Sequence, residues 1–195
     1  MRKVTTWAVS LAAALLALPA SAVSLVFLAN LDGPSENPPN ASPGTGWARV
    51  TFDTDLLTMR VEAAFQDLIG NTSASHIHCC VDAPGNVGVA TTTPSFPGFP
   101  LGVTSGSMDQ TYDMTLAGSY RPGFITANGN TVDGARAALL TGLMDGRAYF
   151  NIHSTQIPSG EIRGFLRAVP EPGALVLLGL GLLAVAITLR RRSRG

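Results

Sequence analysis

Lysine, cysteine and histidine are scarce in this sequence. Its 195 residues include two cysteines and three histidines, and the only lysine is Lys3. Residues 23–169 carry seven arginines against twelve acidic side chains, which gives a formal net charge of −5. Nucleic-acid phosphates are bound by clusters of lysine and arginine, and no such stripe is present. We therefore expect no nucleic-acid partner.

Common catalytic motifs are also missing from the sequence. No glycine-rich phosphate loop follows a strand and opens a helix, and no Gly-x-Ser-x-Gly nucleophile elbow occurs. Glycine and proline, with 21 and 13 residues, are abundant instead and favour turns. We expect a domain of short elements that is not an enzyme.

The N-terminus has the three parts of a secretory signal. Two basic residues precede an apolar run over 8–18, and Ala20 and Ala22 are the small side chains that signal peptidase reads. The apolar run is too short to span a bilayer comfortably, so a permanent anchor is disfavoured. We predict a helical signal peptide over 1–22, cleaved after Ala22.

The C-terminus has a second apolar segment. Residues 173–189 contain no charged side chain, and these 17 residues are the lower limit for a membrane-spanning helix. Four arginines follow between 190 and 194, and such a cluster stays on the cytoplasmic side. We predict a transmembrane helix over 173–189, with the bulk of the chain on the far side of the membrane.

Pro170, Glu171 and Pro172 stand directly before this span. The order of Pro-Glu-Pro, apolar span and arginine cluster over 169–195 resembles the PEP-CTERM sorting signal of Gram-negative bacteria. The resemblance implies recognition by an exosortase, transient anchoring in the inner membrane, removal of the tail, and delivery to the cell surface or extracellular matrix. The two prolines also keep the backbone extended, which suits a peptide that enters a protease cleft.

Between the two signals, apolar and polar side chains alternate with the period of two that is typical of strands. The alternation runs over 47–52 and 57–66, and turn residues 53–55 join these segments into a hairpin. It returns over 148–153 and 161–166. Many short strands between Gly- and Pro-rich turns predict an all-β fold, an antiparallel sandwich with Greek-key links.

One short helix is predicted over 134–141. Asp133 is placed to cap this helix and Gly142 to end it. Residues 92–107 are predicted to form a long irregular loop.

Five segments between the signals share one further feature. They are LDGPSENPP (31–39), GWARVTFD (46–53), SHIH (75–78), AYFNIHS (148–154) and PSGEIRGFL (158–166). In this order they resemble successive signatures of the CHRD domain, which is named after chordin, and we place that domain over 23–168. The resemblance implies an all-β sandwich similar to immunoglobulins or superoxide dismutases, and it implies no particular ligand.

The segment ASHIHCC, residues 74–80, holds two of the three histidines and both cysteines. On a strand, His76 and His78 face the same side. His153 lies on the polar side of its own strand, and the CHRD pattern pairs the two motifs. We predict that these three histidines converge on one face.

Three imidazoles suit copper or zinc, and Cys80, Glu161 or water is a candidate for a further ligand. The alternative is structural, because histidines also hydrogen-bond across strands to hold a polar corner together. Glu161 and Arg163 lie in the most specific part of the CHRD resemblance. We predict that these two side chains brace neighbouring strands, as partners of the histidines or of each other.

Cys79 and Cys80 leave two alternatives open. On a strand their side chains point to opposite faces, which favours a buried Cys79 beside a free or metal-bound Cys80. A bulge would instead bring the two sulfurs together in a disulfide, which the secretory route permits.

Two classes of function follow from these features. The leading hypothesis is an exported cell-surface or matrix protein whose domain is a non-enzymatic binding or structural module for a matrix polysaccharide or another surface partner. The alternative is a mononuclear copper or zinc protein with a storage or oxidative role outside the cytoplasm. Signal peptidase and an exosortase are the expected processing partners in both.

Overall fold

The computed structural model describes residues 24–170 and Gly181. Residues 24–170 contain eight β-strands and two α-helices. They are β1 (Ser24–Asp32), β2 (Thr45–Asp53), β3 (Thr58–Gln66), β4 (Thr72–Cys79), β5 (Gly106–Asp113), α1 (Pro122–Ala127), α2 (Val132–Met144), β6 (Ala148–Ser154), β7 (Ile162–Phe165) and β8 (Arg167–Ala168), with a 3-10 turn over Ala117–Ser119.

The strands form one sheet in the order β4-β6-β7-β1-β2-β3-β5, and β8 also pairs with β1. Every strand pairing is antiparallel. The sheet curls into a half-barrel, so the prediction of an all-β antiparallel fold is confirmed. The sandwich similar to immunoglobulins or superoxide dismutases stays a prediction.

Both terminal signals lie outside the described residues. This applies to the signal peptide over 1–22 with Ala20 and Ala22, to Glu171 and Pro172, and to the predicted span 173–189 apart from Gly181. Among the residues that are described, no helix is long and apolar enough to cross a membrane.

The apolar face of the sheet forms the core. Successive side chains of a strand alternate between its two faces, and in β1, β2 and β3 the inward members are the apolar ones. The buried side chains of these three strands are Phe27, Ala29, Leu31, Ala48, Val50, Phe52, Met59, Val61, Ala63 and Phe65. The hairpin predicted from alternation is therefore present as β2 and β3.

At β4, β6 and β7 the sheet is buried on both faces. Ile77, Phe150 and Ile162 point to the apolar core, whereas their neighbours on the opposite face are polar and are buried as well. Two loops, 33–44 and 80–105, supply the groups that bind these polar side chains. We call this second buried region the polar layer.

The predicted helix is longer than expected and has a different cap. α2 begins after Thr131, whose Oγ1 accepts the Gly134 N–H at 3.0 Å. The prediction of Asp133 as cap is wrong, because its carboxylate instead pairs with Arg136 one turn later at 2.8 Å. Gly142 lies inside the helix rather than at its end.

Four elements have no counterpart in the sequence-based prediction, and one of them is β8, which is only two residues long. α1 is only six residues long, too short for a helical period. β5 begins inside the segment predicted as loop 92–107, and most of its side chains are exposed, so it lacks an alternating pattern. β1 alternates over its second half alone.

Arg163 is the central side chain of the polar layer and is fully buried. Its Nε donates to the Ser35 carbonyl at 2.6 Å, and its Nη2 donates to the Pro84 carbonyl at 2.8 Å. Its Nη1 donates to Asn86 Oδ1 at 2.7 Å and to the Gly85 carbonyl at 3.3 Å. One guanidinium thus ties two loops to β7, using the planar fork that lysine lacks.

Glu161 ties a different pair of segments together. Its Oε1 accepts the Ser42 hydroxyl at 2.6 Å and the Ile69 N–H at 2.7 Å, and its Oε2 accepts the Gly70 N–H at 3.3 Å. Glu161 precedes β7 rather than lying on it. The structure differs from the predicted bracing between neighbouring strands. Arg163 on β7 and Glu161 just before it both bind loop residues, and they do not pair with each other.

Glu36 is the carboxylate nearest to Arg163, with its Oε2 3.7 Å from Nε. Burial raises the pKa of Glu36 to about 7, although the positive charge of Arg163 acts to lower it. Burial prevails because every nitrogen of the guanidinium already donates to a neutral oxygen, at shorter range than this carboxylate.

Glu36 lies against Asn151 beside Gly160. Glu36 Oε1 and Asn151 Oδ1 are both buried, and neither has a hydrogen-bond partner among the described residues. A Cβ at Gly160 would stand 2.6 Å from Glu36 Oε1 and 2.7 Å from Asn151 Nδ2, and its φ of 134° also favours glycine. Protonation of Glu36 would remove a buried negative charge beside an oxygen, Oε1, that has no hydrogen-bond donor.

Replacing Arg163 with alanine should lower the melting temperature by roughly 10 °C. The substitution leaves buried carbonyls without a donor and Glu36 without its counter-charge, a loss of about 3–5 kcal/mol. Thermal unfolding followed by circular dichroism measures the shift. The control is Arg49→Ala, which removes an exposed ion pair with Glu62 and should change little. Equal melting temperatures for the two variants would contradict the bracing role.

Replacing Glu36 with glutamine should remove a pH-dependent part of the stability. The folded protein holds this proton up to about pH 7, whereas the unfolded chain loses it near pH 4.5. Folding therefore binds a proton between these values, and the free energy of unfolding falls as pH rises across that window.

Urea unfolding at pH 5, 6, 7 and 8 tests this prediction. The wild type should lose about 3 kcal/mol relative to Glu36→Gln over this range. The comparison with the variant cancels the titration of other groups. Parallel pH profiles for the two proteins would show that Glu36 titrates normally.

Candidate metal centre

Three histidines lie together in the polar layer. His76 and His78 are two residues apart on β4 and share a face. The register of β4 with β6 places Ala74 opposite His153 and His76 opposite Asn151, so His153 is a diagonal neighbour of His76. The ring centroids are 5.1 Å apart for His76 and His153, 5.7 Å for His76 and His78, and 6.1 Å for His78 and His153.

Each histidine uses one ring nitrogen to bind a backbone carbonyl. The pairs are His76 Nε2 with Pro94 at 2.6 Å, His78 Nδ1 with Val87 at 2.7 Å, and His153 Nδ1 with Pro158 at 2.9 Å. A carbonyl only accepts, so each of these nitrogens carries the proton. The other nitrogen of each neutral ring then presents a lone pair, and the carbonyl fixes the orientation of the ring.

The three lone-pair nitrogens are His76 Nδ1, His78 Nε2 and His153 Nε2. All three are buried, and none has a hydrogen-bond partner among the described residues. One ring nitrogen from each histidine lies within 4.8 Å of the other two. Nitrogens around one zinc ion are about 3.4 Å apart, so each ring would have to move by less than about 1 Å to share an ion.

Burial keeps these imidazoles neutral. It lowers the pKa of His76 and of His78 to about 4, and it also lowers the pKa of His153. The hydrogen bond from each ring to its carbonyl acts in the opposite direction and does not offset the burial. At neutral pH all three rings are in the uncharged form that coordinates metals.

Tyr149 and Arg163 form a stack beside His78. The Tyr149 ring lies parallel to the His78 ring, with centroids 4.7 Å apart, and the Arg163 guanidinium carbon is 4.7 Å from the Tyr149 centroid on the ring face. The Tyr149 hydroxyl donates to the Val87 carbonyl at 3.3 Å, the same oxygen that holds His78. The stack therefore fixes both the ring and its carbonyl partner.

The further ligands considered from sequence do not join this group. Cys80 is bonded to Cys79 in a disulfide, so neither thiol is available to a metal. Glu161 is occupied by Ser42, Ile69 and Gly70. Among the described residues, the group consists of the three histidines alone.

The disulfide decides between the two alternatives for the cysteines. Cys79 and Cys80 do not point to opposite faces, because their sulfurs are joined where β4 ends. Both sulfurs pack against Gly142 of α2, where a Cβ would overlap them. The glycine that resembled a helix end is therefore a contact site for the disulfide.

Sequence reasoning missed Glu36, Tyr149 and Asn151 as members of this region. All three lie in segments that carry the CHRD resemblance, Glu36 in 31–39 and the others in 148–154. Their position in these motifs was the sequence feature that could have identified them. Their roles depend on loop contacts that alternation along a strand does not reveal.

The sorting motif begins where the sheet ends. β8 pairs with β1 at Leu28 and Phe27, and the Val169 N–H donates to the Val26 carbonyl at 2.8 Å. Pro170 follows, is exposed, and has no N–H to continue the pairing. The strand pairing of the described residues therefore ends directly before the motif.

Comparison with known families finds two matches in this chain. The model of the CHRD domain matches residues 27–166, and the model of the PEP-CTERM protein-sorting motif matches residues 168–192. Both resemblances stated from the sequence are confirmed. No curated protein and no solved structure matches the chain.

Proposed function

The chain belongs to the CHRD-domain family, and from this premise we propose that it is an exported, non-enzymatic binding or structural module of the cell surface or matrix. The PEP-CTERM motif indicates exosortase-dependent sorting and a cell-surface or extracellular location in Gram-negative bacteria. The proposal adds that the domain is a module with its own ligand, such as a matrix polysaccharide or another surface partner.

The proposed route has two processing steps. Signal peptidase removes 1–22, the C-terminal span then holds the protein in the inner membrane, and an exosortase releases it near Pro170, Glu171 and Pro172. Support for the cleavage position comes from the sheet, because residues up to Val169 are hydrogen-bonded to β1 and a protease needs an extended, unpaired peptide. The exposed Pro170 is the first residue that meets this need.

The mature surface protein should therefore begin near Val23 and end within 169–172. Intact-mass measurement on protein recovered from the producing cells gives both ends at once. A surface form that keeps the whole tail would contradict exosortase release and leave a membrane anchor. A mature protein whose C-terminus lies before Arg167 would contradict the protection of β8 by its pairing with β1.

We also propose that the domain binds one copper or zinc ion through His76, His78 and His153. The single observation behind this proposal is the set of three buried ring nitrogens that have no hydrogen-bond partner among the described residues. Leaving a buried acceptor unsatisfied costs about 1–3 kcal/mol, and three of them in one group is an expensive arrangement unless something occupies it. A single ion would bind all three lone pairs.

The structural alternative explains the geometry less well. Histidines with a purely structural role would use both ring nitrogens for hydrogen bonds within the protein. Here each ring uses only one. In metal-bound histidines, one ring nitrogen is held by a hydrogen bond that sets the tautomer, and the other nitrogen binds the ion. The three rings have this arrangement of one bound and one unpartnered nitrogen.

Removing one imidazole should abolish stoichiometric binding. His153→Gln keeps an amide that can donate to the Pro158 carbonyl but offers no imidazole nitrogen, so the fold should survive. Loss of a ligand should lower the affinity by more than the roughly 10–100-fold that loss of an outer-shell partner costs. Titration calorimetry with copper and zinc, with metal analysis of the reloaded protein, measures the effect.

The matched control is the double variant Cys79→Ala, Cys80→Ala. This variant removes both cysteine sulfurs of the chain and leaves the three histidines, so metal binding should persist. Absence of binding by the wild type would contradict the site. Binding that survives in His153→Gln but disappears in the cysteine variant would place the metal elsewhere.

A further inference from the structure

At β1, β2, β3 and β5 the sheet has a face opposite the apolar core, which we call the outer face. The side chains that alternate with the buried ones lie on it, and most of them are exposed or half-buried. The largest is Trp47 of β2, which remains 45 % exposed. Trp7 is the only other tryptophan and lies in the predicted signal peptide, so the domain carries its single tryptophan at the surface.

The neighbours of Trp47 leave its indole ring uncovered. The strand register places Asn30 of β1 on one side of it and Ala64 of β3 on the other. Cross-strand neighbours have Cβ atoms about 5 Å apart, and the single methyl group of Ala64 is too short to cover a ring at that spacing. Among the described residues, no aromatic ring and no arginine stacks on Trp47.

An open cleft of about 300 Å³ adjoins this indole. All of its lining residues are uncharged, and they are Thr45, Gly46, Trp47, Ala64, Phe65 and Gln66. Thr45 and Gln66 are exposed and are paired with each other in the register of β2 and β3. Their hydroxyl and amide groups therefore place hydrogen-bond donors and acceptors beside the aromatic surface. An apolar surface with a few polar groups at its side is typical of a ligand site.

The charges on the outer face compensate each other. Arg49 Nε is 3.8 Å from Glu62 Oε2, and Arg60 Nη2 is 3.1 Å from Glu62 Oε1. Arg60 Nη2 is also 2.6 Å from Asp109 Oδ2. Two arginines thus meet two carboxylates, and this group has no net charge. The outer face therefore attracts neither a polyanion nor a polycation, which indicates an uncharged ligand.

A protein or a lipid surface would need more apolar area than the outer face has. Its four strands expose two large apolar side chains, Leu28 and Trp47. A specific protein interface buries about 800 Å² on each partner around an apolar centre, and a membrane-binding surface needs an apolar face rimmed by free cations. A sugar ring needs less, because its C–H face stacks on one indole while its hydroxyl groups bind nearby amides and hydroxyls.

We propose that Trp47 and the cleft beside it bind an uncharged polysaccharide. This inference rests on the binding module proposed above and names the class of its ligand and its contact residues. A sugar ring stacks on the uncovered indole, and Thr45 and Gln66 bind its hydroxyl groups. The site lies on β2 and β3, which carry none of the three histidines, so it is independent of the candidate metal centre.

Electrophoresis in native gels that contain a polysaccharide tests the proposal, because binding slows the protein. The uncharged probes are hydroxyethyl cellulose, dextran and galactomannan, and the polyanionic probe is alginate. At least one uncharged probe should slow the exported protein, and added salt should not weaken this binding because no charge takes part. Trp47 is the only tryptophan once the signal peptide is removed, so its fluorescence should change on binding.

Trp47→Ala removes the stacking surface and should raise the dissociation constant by roughly 10-fold or more, as for a central aromatic contact. Trp47→Tyr keeps an aromatic face and should retain most of the affinity. Thermal unfolding checks that both variants are folded. The matched control is Leu56→Ala, which removes a 72 % exposed apolar side chain from the turn of the same hairpin and should leave binding unchanged.

The outcomes separate this inference from the proposal beneath it. If binding to an uncharged probe persists in Trp47→Ala, the binding module stands and the site is refuted. If alginate alone binds, and salt weakens that binding, the module stands with a charged ligand and the uncharged class is refuted. If none of the four probes binds, the polysaccharide-binding module is refuted together with this inference.

Discussion

Where a sheet is buried on both faces, the polar groups on its second face need partners, and this constraint organises most of the polar layer. Arg163 meets the constraint for three oxygens of residues 84–86. The next carbonyl along the loop, that of Val87, fixes His78. The cation that secures the loop therefore also positions the group that orients a candidate ligand. Stability and the geometry of the candidate metal centre depend on the same buried side chain.

The apolar core is built without the candidate ligands. The core-facing side chains of β1, β2 and β3 and those of α2 pack on the opposite face of the sheet from the histidines. In small zinc domains the ion creates the fold, because no other core exists. Here an ion would add to a fold that the apolar face already stabilises. On the proposed metal binding, such a domain would release its ion without unfolding.

Contacts within and between regular strands can be predicted from the sequence, whereas contacts made by irregular loops cannot. The period of two placed His76 and His78 on one face, and strand pairing brought His153 to them, so the cluster was predictable. The sequence does not decide whether the disulfide forms, because the alternation of a strand stops where β4 ends, at Cys79. The carbonyls that hold the rings come from irregular loops, where no period exists. The position of Glu36 depends on the same loops.

The register also relates the centre to the two ends of the domain. Val169 is hydrogen-bonded to Val26 near the start of β1, whereas Arg163 lies opposite Asp32 at its end. Asn151 of β6 pairs with Arg163, and His76 of β4 pairs with Asn151, so His76 lies at the same position along the strands as Arg163. Six residues along a strand correspond to about 20 Å. The histidines therefore lie about 20 Å along the strands from the residue where the sorting motif begins. We therefore expect removal of the tail to leave the proposed metal binding unchanged.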